Sequence, residues 1–258
     1  MLPGMRAYLR FAALGDSTTF GIGDPVPDGW RGWARLLSEA VGTAHDVSFC
    51  NLAVSGATAA DVRSGQLEEA LTHRPDVASL IVGVNDTMRS AWDPVGVRED
   101  LLTAAEALSG VGALLLTARF HDHGAVLGLP AVLRRPLWRR IEHVNAVYDE
   151  VHRLYGGVRI DLGGRPEVTT REFWSVDRLH PSERGHRLLA HGFALLVNEV
   201  GIAFDPPSLE RDGGRVPSRW QDLHWMVTAG APWMGRRARD LGPWAARMAL
   251  SELAPRPR

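Results

Sequence analysis

Apolar residues in this chain gather in short, nearly unbroken runs separated by stretches of helical spacing, the pattern of strands covered on both faces with helices between them. The first run, Tyr8 to Leu14, stops abruptly at Gly15-Asp16-Ser17-Thr18, which predicts a strand ending at the C-terminal edge of a sheet before the flexible Thr19 to Gly23. Gly21 to Gly29, with Pro25 and Pro27, predicts a turn-rich loop, and Trp33, Leu36, Leu37 and Ala40 mark one face of a helix from Trp30 to Val41. A second strand is expected within His45 to Leu52 and a helix from about Ala59 to Leu71. The run Val77 to Val82 predicts a third strand, ending at Gly83-Val84-Asn85-Asp86. Asp93-Pro94 reads as a helix start, with the helix running to about Leu108. Gly112 to Thr117 is the fourth expected strand and Arg119 to Pro136 a long mixed loop. A helix from Leu137 to Tyr155, a fifth strand from Val158 to Leu162, a loop from Gly163 to His180 and a helix from Pro181 to Val200 complete the pattern.

Five strands alternating with helices predict a parallel sheet with right-handed crossovers, hence a three-layer α/β/α sandwich. The alternation breaks between Asp205-Pro206-Pro207 and Gly213-Gly214, so residues 1–204 are expected to form the main domain and residues 205–258 an extension. From Arg211 to Arg258 the chain carries nine arginines against four acidic residues, with Trp220, Trp225, Trp233 and Trp244 interleaved. The spacing of Leu223, Met226 and Val227 predicts helices packed on the sandwich; contact with nucleic acid or an anionic membrane is the alternative.

Composition narrows the classes. With 258 residues, 45% hydrophobic and 23% charged, the chain can bury a sizeable core, and neither disorder nor a fibrous class is suggested. A net charge of -1 gives no support for a nucleic-acid partner. The single cysteine, Cys50, lies in the apolar run Val47-Ser48-Phe49-Cys50 and reads as a core thiol, so no oxidising compartment is implied. No apolar window approaches the roughly 20 residues of a membrane span, and no signal-type apolar stretch precedes the first strand, so a cytoplasmic location is expected. Oligomeric state is not legible.

The chemistry begins with Ser17, which sits where open α/β sheets bind ligands. A serine hydroxyl is a poor nucleophile unless a base, an orienting carboxylate and oxyanion donors stand nearby. Asp177-Arg178-Leu179-His180-Pro181 offers an imidazole with a carboxylate three residues before it, although a surface pair at a helix start has the same spacing. Gly56 and Asn85, just past the second and third strands, fall at the edge that carries Ser17. Their amide groups, with the Ser17 N–H, would make a three-donor oxyanion hole; a tight turn at Gly56 and a helix cap at Asn85 are the structural alternatives.

Taken together, Gly15-Asp16-Ser17-Thr18, Gly56 after the strand containing Asn51, Gly83-Val84-Asn85-Asp86 and Asp177-Arg178-Leu179-His180 resemble, in order and spacing, the SGNH hydrolases of the GDSL esterase/lipase family. The resemblance runs from Tyr8 to about Val200 and departs from the family motif at Thr18, where the family name has Leu. It implies a flavodoxin-like sandwich. It also implies Ser17 as nucleophile, His180 as base, Asp177 as its orienting acid, and Gly56 and Asn85 as oxyanion donors, with Asp16 shaping the loop. The implied function is hydrolysis of a small-molecule carboxylic ester through an acyl-serine, with no metal or cofactor. Acyl transfer to another acceptor, or a catalytically idle sandwich that binds through its basic aromatic tail, are the alternatives. His121-Asp122-His123 reads as a solvated turn rather than a metal site, and Glu68-Glu69 and Arg139-Arg140-Ile141-Glu142 as solvated helix faces.

Overall fold

The computed structural model describes residues 7–212. The helices expected of the Arg- and Trp-rich extension lie outside the described residues, from 213 onward. In chain order the elements are β1 (Tyr8–Gly15), α1 (Ser17–Phe20), a small hairpin of β2 (Pro25–Val26) and β3 (Gly29–Trp30), α2 (Gly32–Val41) and β4 (Asp46–Asn51). Next come α3 (Ala59–Asp61), a π-helical turn at Val62–Gln66, α4 (Leu67–His73), β5 (Val77–Ile81), α5 (Val84–Thr87), α6 (Pro94–Gly110) and β6 (Leu114–Arg119). The chain continues through α7 (His123–Val126), α8 (Ala131–Tyr155), β7 (Val158–Asp161), two 3-10 turns at Pro166–Thr169 and Arg171–Phe173, and α9 (Glu183–Glu199).

Five of the strands form one parallel sheet in the order β4-β1-β5-β6-β7. The expected three-layer architecture is therefore present. One layer is made by α2 and α9, which pack on each other through stacked Trp33 and Phe193 with ring centroids 4.8 Å apart. The other holds α6 against α8. Every residue of β5 is buried, as its unbroken apolar run requires. The chain order reverses between β1 and β5, and the loops leaving those two strands open a crevice at the C-terminal edge, where ligands bind in folds of this kind.

Local chemistry accounts for most boundaries. Asp93 caps α6 by accepting from the Val95 and Gly96 N–H groups, with Pro94 in the first turn. Two expectations need correction. The helix anticipated over 59–71 is broken by the π-helical turn, whose last residue, Gln66, turns its amide inward to β1. The long loop expected to reach Pro136 stops short, because α8 begins at Ala131 and carries Pro136 as a buried residue of its second turn, giving up one intrahelical bond there. Among the described residues, no helix is long and apolar enough to cross a membrane.

Candidate active site

Ser17 lies two residues beyond the end of β1, and three side chains fix that stop. Gln66 closes a reciprocal pair on Gly15, its Oε1 accepting from the Gly15 N–H at 2.9 Å and its Nε2 donating to the Gly15 carbonyl at 2.9 Å. Asn51 donates to the Thr19 carbonyl at 3.0 Å, holding the turn from the other side. Asp16 accepts from the Thr18 N–H at 3.0 Å and so caps α1, which leaves Ser17 as the first residue of that short helix, 8% exposed. The role in shaping the loop expected for Asp16 is visible in that bond.

Asp177 and His180 sit on a tight loop closed at its base by the bridge between Trp174 and Pro181, with the Ser175 N–H donating to the His180 carbonyl at 2.8 Å. Asp177 Oδ1 accepts from the backbone N–H groups of Leu179 and His180, while its Oδ2 lies 2.6 Å from His180 Nδ1. Burial pushes the Asp177 carboxyl upward, but the imidazole of His180 and the two backbone donors outweigh it and hold the group below its ordinary value. An ionised carboxylate only accepts, so Nδ1 carries hydrogen and Nε2 presents its lone pair outward. The Ser17 hydroxyl stands 2.9 Å from that Nε2, although 163 residues separate the two.

Three contacts hold these distant loops together. His186, on α9, accepts the Trp33 N–H at Nδ1 (3.2 Å) and donates from Nε2 to the Ile22 carbonyl (2.9 Å). Burial pulls its pKa down to about 4, so it stays neutral in that role. Glu183 accepts from Arg31 at 3.1 Å and Arg187 at 3.0 Å, and Arg31 also grips Asp24 at 2.9 Å, all with little solvent exposure. Gly23, at φ +105°, passes so close to the Pro181 carbonyl that a Cβ there would sit 1.9 Å from its oxygen. Sequence reasoning missed all of these and Gln66. A signal existed only for His186, a polar residue on the apolar stripe continued by Leu189, Phe193 and Val197.

Asn85 and Gly56 are brought close in different degrees. Asn85, in α5, is buried, and its Nδ2 donates to the Ala57 carbonyl at 3.0 Å and more loosely to Asp16 Oδ2 at 3.4 Å. Gly56 stands one residue from that carbonyl at φ +83°, as a tight turn requires, but it lines a separate shallow groove rather than the cavity beside Ser17. Two carboxyls lie behind the site. Burial raises Asp16 to about 6 and Asp86 to about 7; the Asp86 carboxyl accepts from the Ala59 N–H at 3.2 Å.

A cavity of about 50 Å³ starts at Asp16, Ser17 and Asn85 and reaches inward to Trp33 and Phe193, walled by Phe120, His121, His123 and Trp174. The solvated turn expected at His121-Asp122-His123 is not what forms. Both imidazoles are buried, stacked with ring centroids 3.9 Å apart, because the chain leaving β6 folds back under Trp174 rather than out to solvent. Among the described residues no group of three metal-ligating side chains converges. The solvated face expected at Arg139 to Glu142 is also only partly so: Ile141 is buried, and Arg140 donates to the Thr87 and Arg89 carbonyls and lies over the Trp92 ring.

The model of the GDSL-like lipase/acylhydrolase family matches residues 13–188. An acetylxylan esterase from Geobacillus stearothermophilus is 23% identical over 207 residues, covering 73% of this chain and 92% of its own. Among solved structures, a catalytic mutant of an acetylxylan esterase from the same organism superposes with a TM-score of 0.61 at 17% identity, covering 81% of this chain and 99% of its own. A lipase/acylhydrolase from Enterococcus faecalis gives 0.59 at 24% identity, covering 79% and 100%. These structures share the fold.

Proposed function

The chain belongs to the GDSL-like lipase/acylhydrolase family, and on that premise we propose that it cleaves small-molecule carboxylic esters through an acyl-serine formed on Ser17. The observation that carries the reading is the line of contacts from Asp177 through His180 to Ser17, 2.6 Å and 2.9 Å long. His180 Nε2 takes the hydroxyl proton as Ser17 Oγ attacks the ester carbonyl, then gives it to the departing alcohol, and then activates the water that frees the acid. Asp177 holds the ring in the tautomer that can accept and offsets the positive charge the ring gains.

The forming oxyanion is taken by the Ser17 and Gly56 N–H groups and by Asn85. Asn85 Nδ2, 3.0 Å from the Ala57 carbonyl and 3.4 Å from Asp16 Oδ2, turns a proton to the oxyanion as charge forms there. With Asp16 raised to about 6, part of its population is protonated in weakly acidic solution, where its hold on that amide slackens. The acid half of the ester enters the cavity beside Ser17. That cavity supports a short acyl group: about 50 Å³, on a scale where one water fills about 10–15 Å³, admits only a few non-hydrogen atoms. The acetyl-removing activity in the names of two relatives is in keeping with that size.

Hydrolysis of p-nitrophenyl acetate by the wild type and Ser17→Ala tests the reading, alongside labelling by a fluorophosphonate. The variant is expected to lose at least about 10³-fold in kcat and to take no label. Full activity in Ser17→Ala would overturn the assignment of the nucleophile.

A further inference from the structure

The cavity beside Ser17 is apolar over most of its wall, yet two of the residues that line it carry buried polar atoms that nothing in the protein satisfies. His121 is 6% exposed, and neither of its ring nitrogens has a hydrogen-bond partner. The Trp33 indole N–H, on the wall of the same cavity, is likewise unpaired. His123, stacked on His121, differs: its Nδ1 meets the His121 carbonyl at 3.2 Å. An unpaired buried donor or acceptor costs about 1–3 kcal/mol, so three such atoms around one small space mark a place built for polar content.

The chemistry of that content follows from the ring. Burial and the neighbouring His123 keep His121 well below the ordinary imidazole range, hence neutral. A neutral imidazole offers one N–H donor and one lone pair. One ligand atom reaches only one of the two ring nitrogens, and a hydroxyl suits whichever it is, donating to a lone pair or accepting from an N–H, with a lone pair left for an indole N–H. A carboxylate only accepts and an ammonium only donates, so neither matches. The cavity is too small for a sugar ring, and the alcohol half must leave toward solvent, whereas the acid half stays on the serine through the second step.

We infer that His121 is a specificity-determining residue that selects esters whose short acyl chain carries a hydroxyl group, with the Trp33 indole N–H as a second contact to that hydroxyl. The inference rests on the serine-hydrolase reading above and adds to it the class of acid released, a short hydroxy acid. A site built to pair a hydroxyl discriminates strongly against the analogue that lacks it, because the buried groups are then left unpaired.

The test holds the alcohol fixed and varies the acid. Acid release is titrated for ethyl 2-hydroxypropanoate against ethyl propanoate, and for ethyl 3-hydroxybutanoate against ethyl butanoate, with wild type, His121→Phe and His121→Gln. In the wild type a hydroxyacyl ester is expected to exceed its plain partner in kcat/KM by about tenfold or more. His121→Phe, which keeps an aromatic ring against His123 and Trp174, should lose that preference, the two kcat/KM values of each pair converging toward a ratio of one. His121→Gln restores a donor and an acceptor and should regain part of it. A wild type indifferent to the hydroxyl overturns the inference even if His121→Phe fails to fold. So does an unchanged preference in a folded His121→Phe, which would leave the site to a buried water. Failure of the wild type to release acid from any ester in both series, or from p-nitrophenyl acetate, strikes the serine-hydrolase reading itself.

Discussion

At the scale of single residues, the proposed chemistry depends on which hydrogen sits on which nitrogen. Asp177 spends one oxygen on two backbone N–H groups and the other on His180 Nδ1, so the carboxylate cannot swing away from the ring without losing the loop's own bonds. Asp177→Asn replaces the acceptor with an amide that can donate to Nδ1, which favours the tautomer with hydrogen on Nε2 and denies Ser17 its base. The expected result is a kcat lower by about 10³–10⁴-fold with the fold intact, read from p-nitrophenyl acetate kinetics beside a thermal unfolding curve. Asn85 acts at a different moment. In the proposed reaction its amide is needed only when charge forms on the ester oxygen, so Asn85→Ala should lower kcat by about 10²–10³-fold and leave KM nearly unchanged. A rise in KM at constant kcat would mean that Asn85 binds the ground state instead.

Between elements the question is what makes two segments 163 residues apart agree to within hydrogen-bond distance. The Ser17 loop is clasped to the His180 loop at Gly23 and Pro181, and to α9 through His186 and through the Asp24, Arg31, Glu183 and Arg187 network. Gly23→Ala adds a Cβ where no space exists and at a positive φ that side chains avoid, so the two loops must part. A displacement near 1 Å is worth about 100-fold in such a site, and kcat should fall by about 10–100-fold. Gly29→Ala, at another positive φ but with open space around it, is the control and should cost stability alone. The same contrast explains what the sequence could disclose. Ser17, Asn85, Asp177 and His180 were legible because each follows or precedes a recognisable strand end or helix start, and the order of loops along a sheet edge follows from βα alternation. Gln66, Glu183 and Arg31 were not, because their partners lie 51 and 152 residues away and no periodicity encodes a hydrogen bond of that span. The loop after β6 misled for the converse reason: His, Asp and Arg in close succession look like surface, and only the position of Trp174 shows that two of those side chains are buried. Pro136 misled too, since a proline inside a helix is rarer than one at its start.

Over the whole molecule, buried titratable groups set two opposed dependences of stability on pH. Asp16 and Asp86 are raised by burial to about 6 and about 7, so the folded state holds protons that the unfolded chain has released above about pH 4. Their contribution is fully present below about pH 4 and is lost as pH rises toward 6 and 7. His123 and His186 are lowered by burial to about 4, and His121 further. These favour the folded state above about pH 6.5 and lose their contribution as pH falls toward 4. Between about pH 4.5 and 6 the carboxyls therefore offset most of the slope the imidazoles would impose. Asp86→Asn isolates the balance, because the amide oxygen can still accept from the Ala59 N–H while the titration disappears. Removing one proton from the folded-state excess should make stability climb with pH more steeply than in the wild type, by about 1.4 kcal/mol per unit over that interval. Urea unfolding midpoints at pH 4.5, 5.25 and 6, converted with each protein's own m-value, measure the difference directly. Parallel curves for the two proteins would show that Asp86 is ionised in the fold across the interval despite its burial.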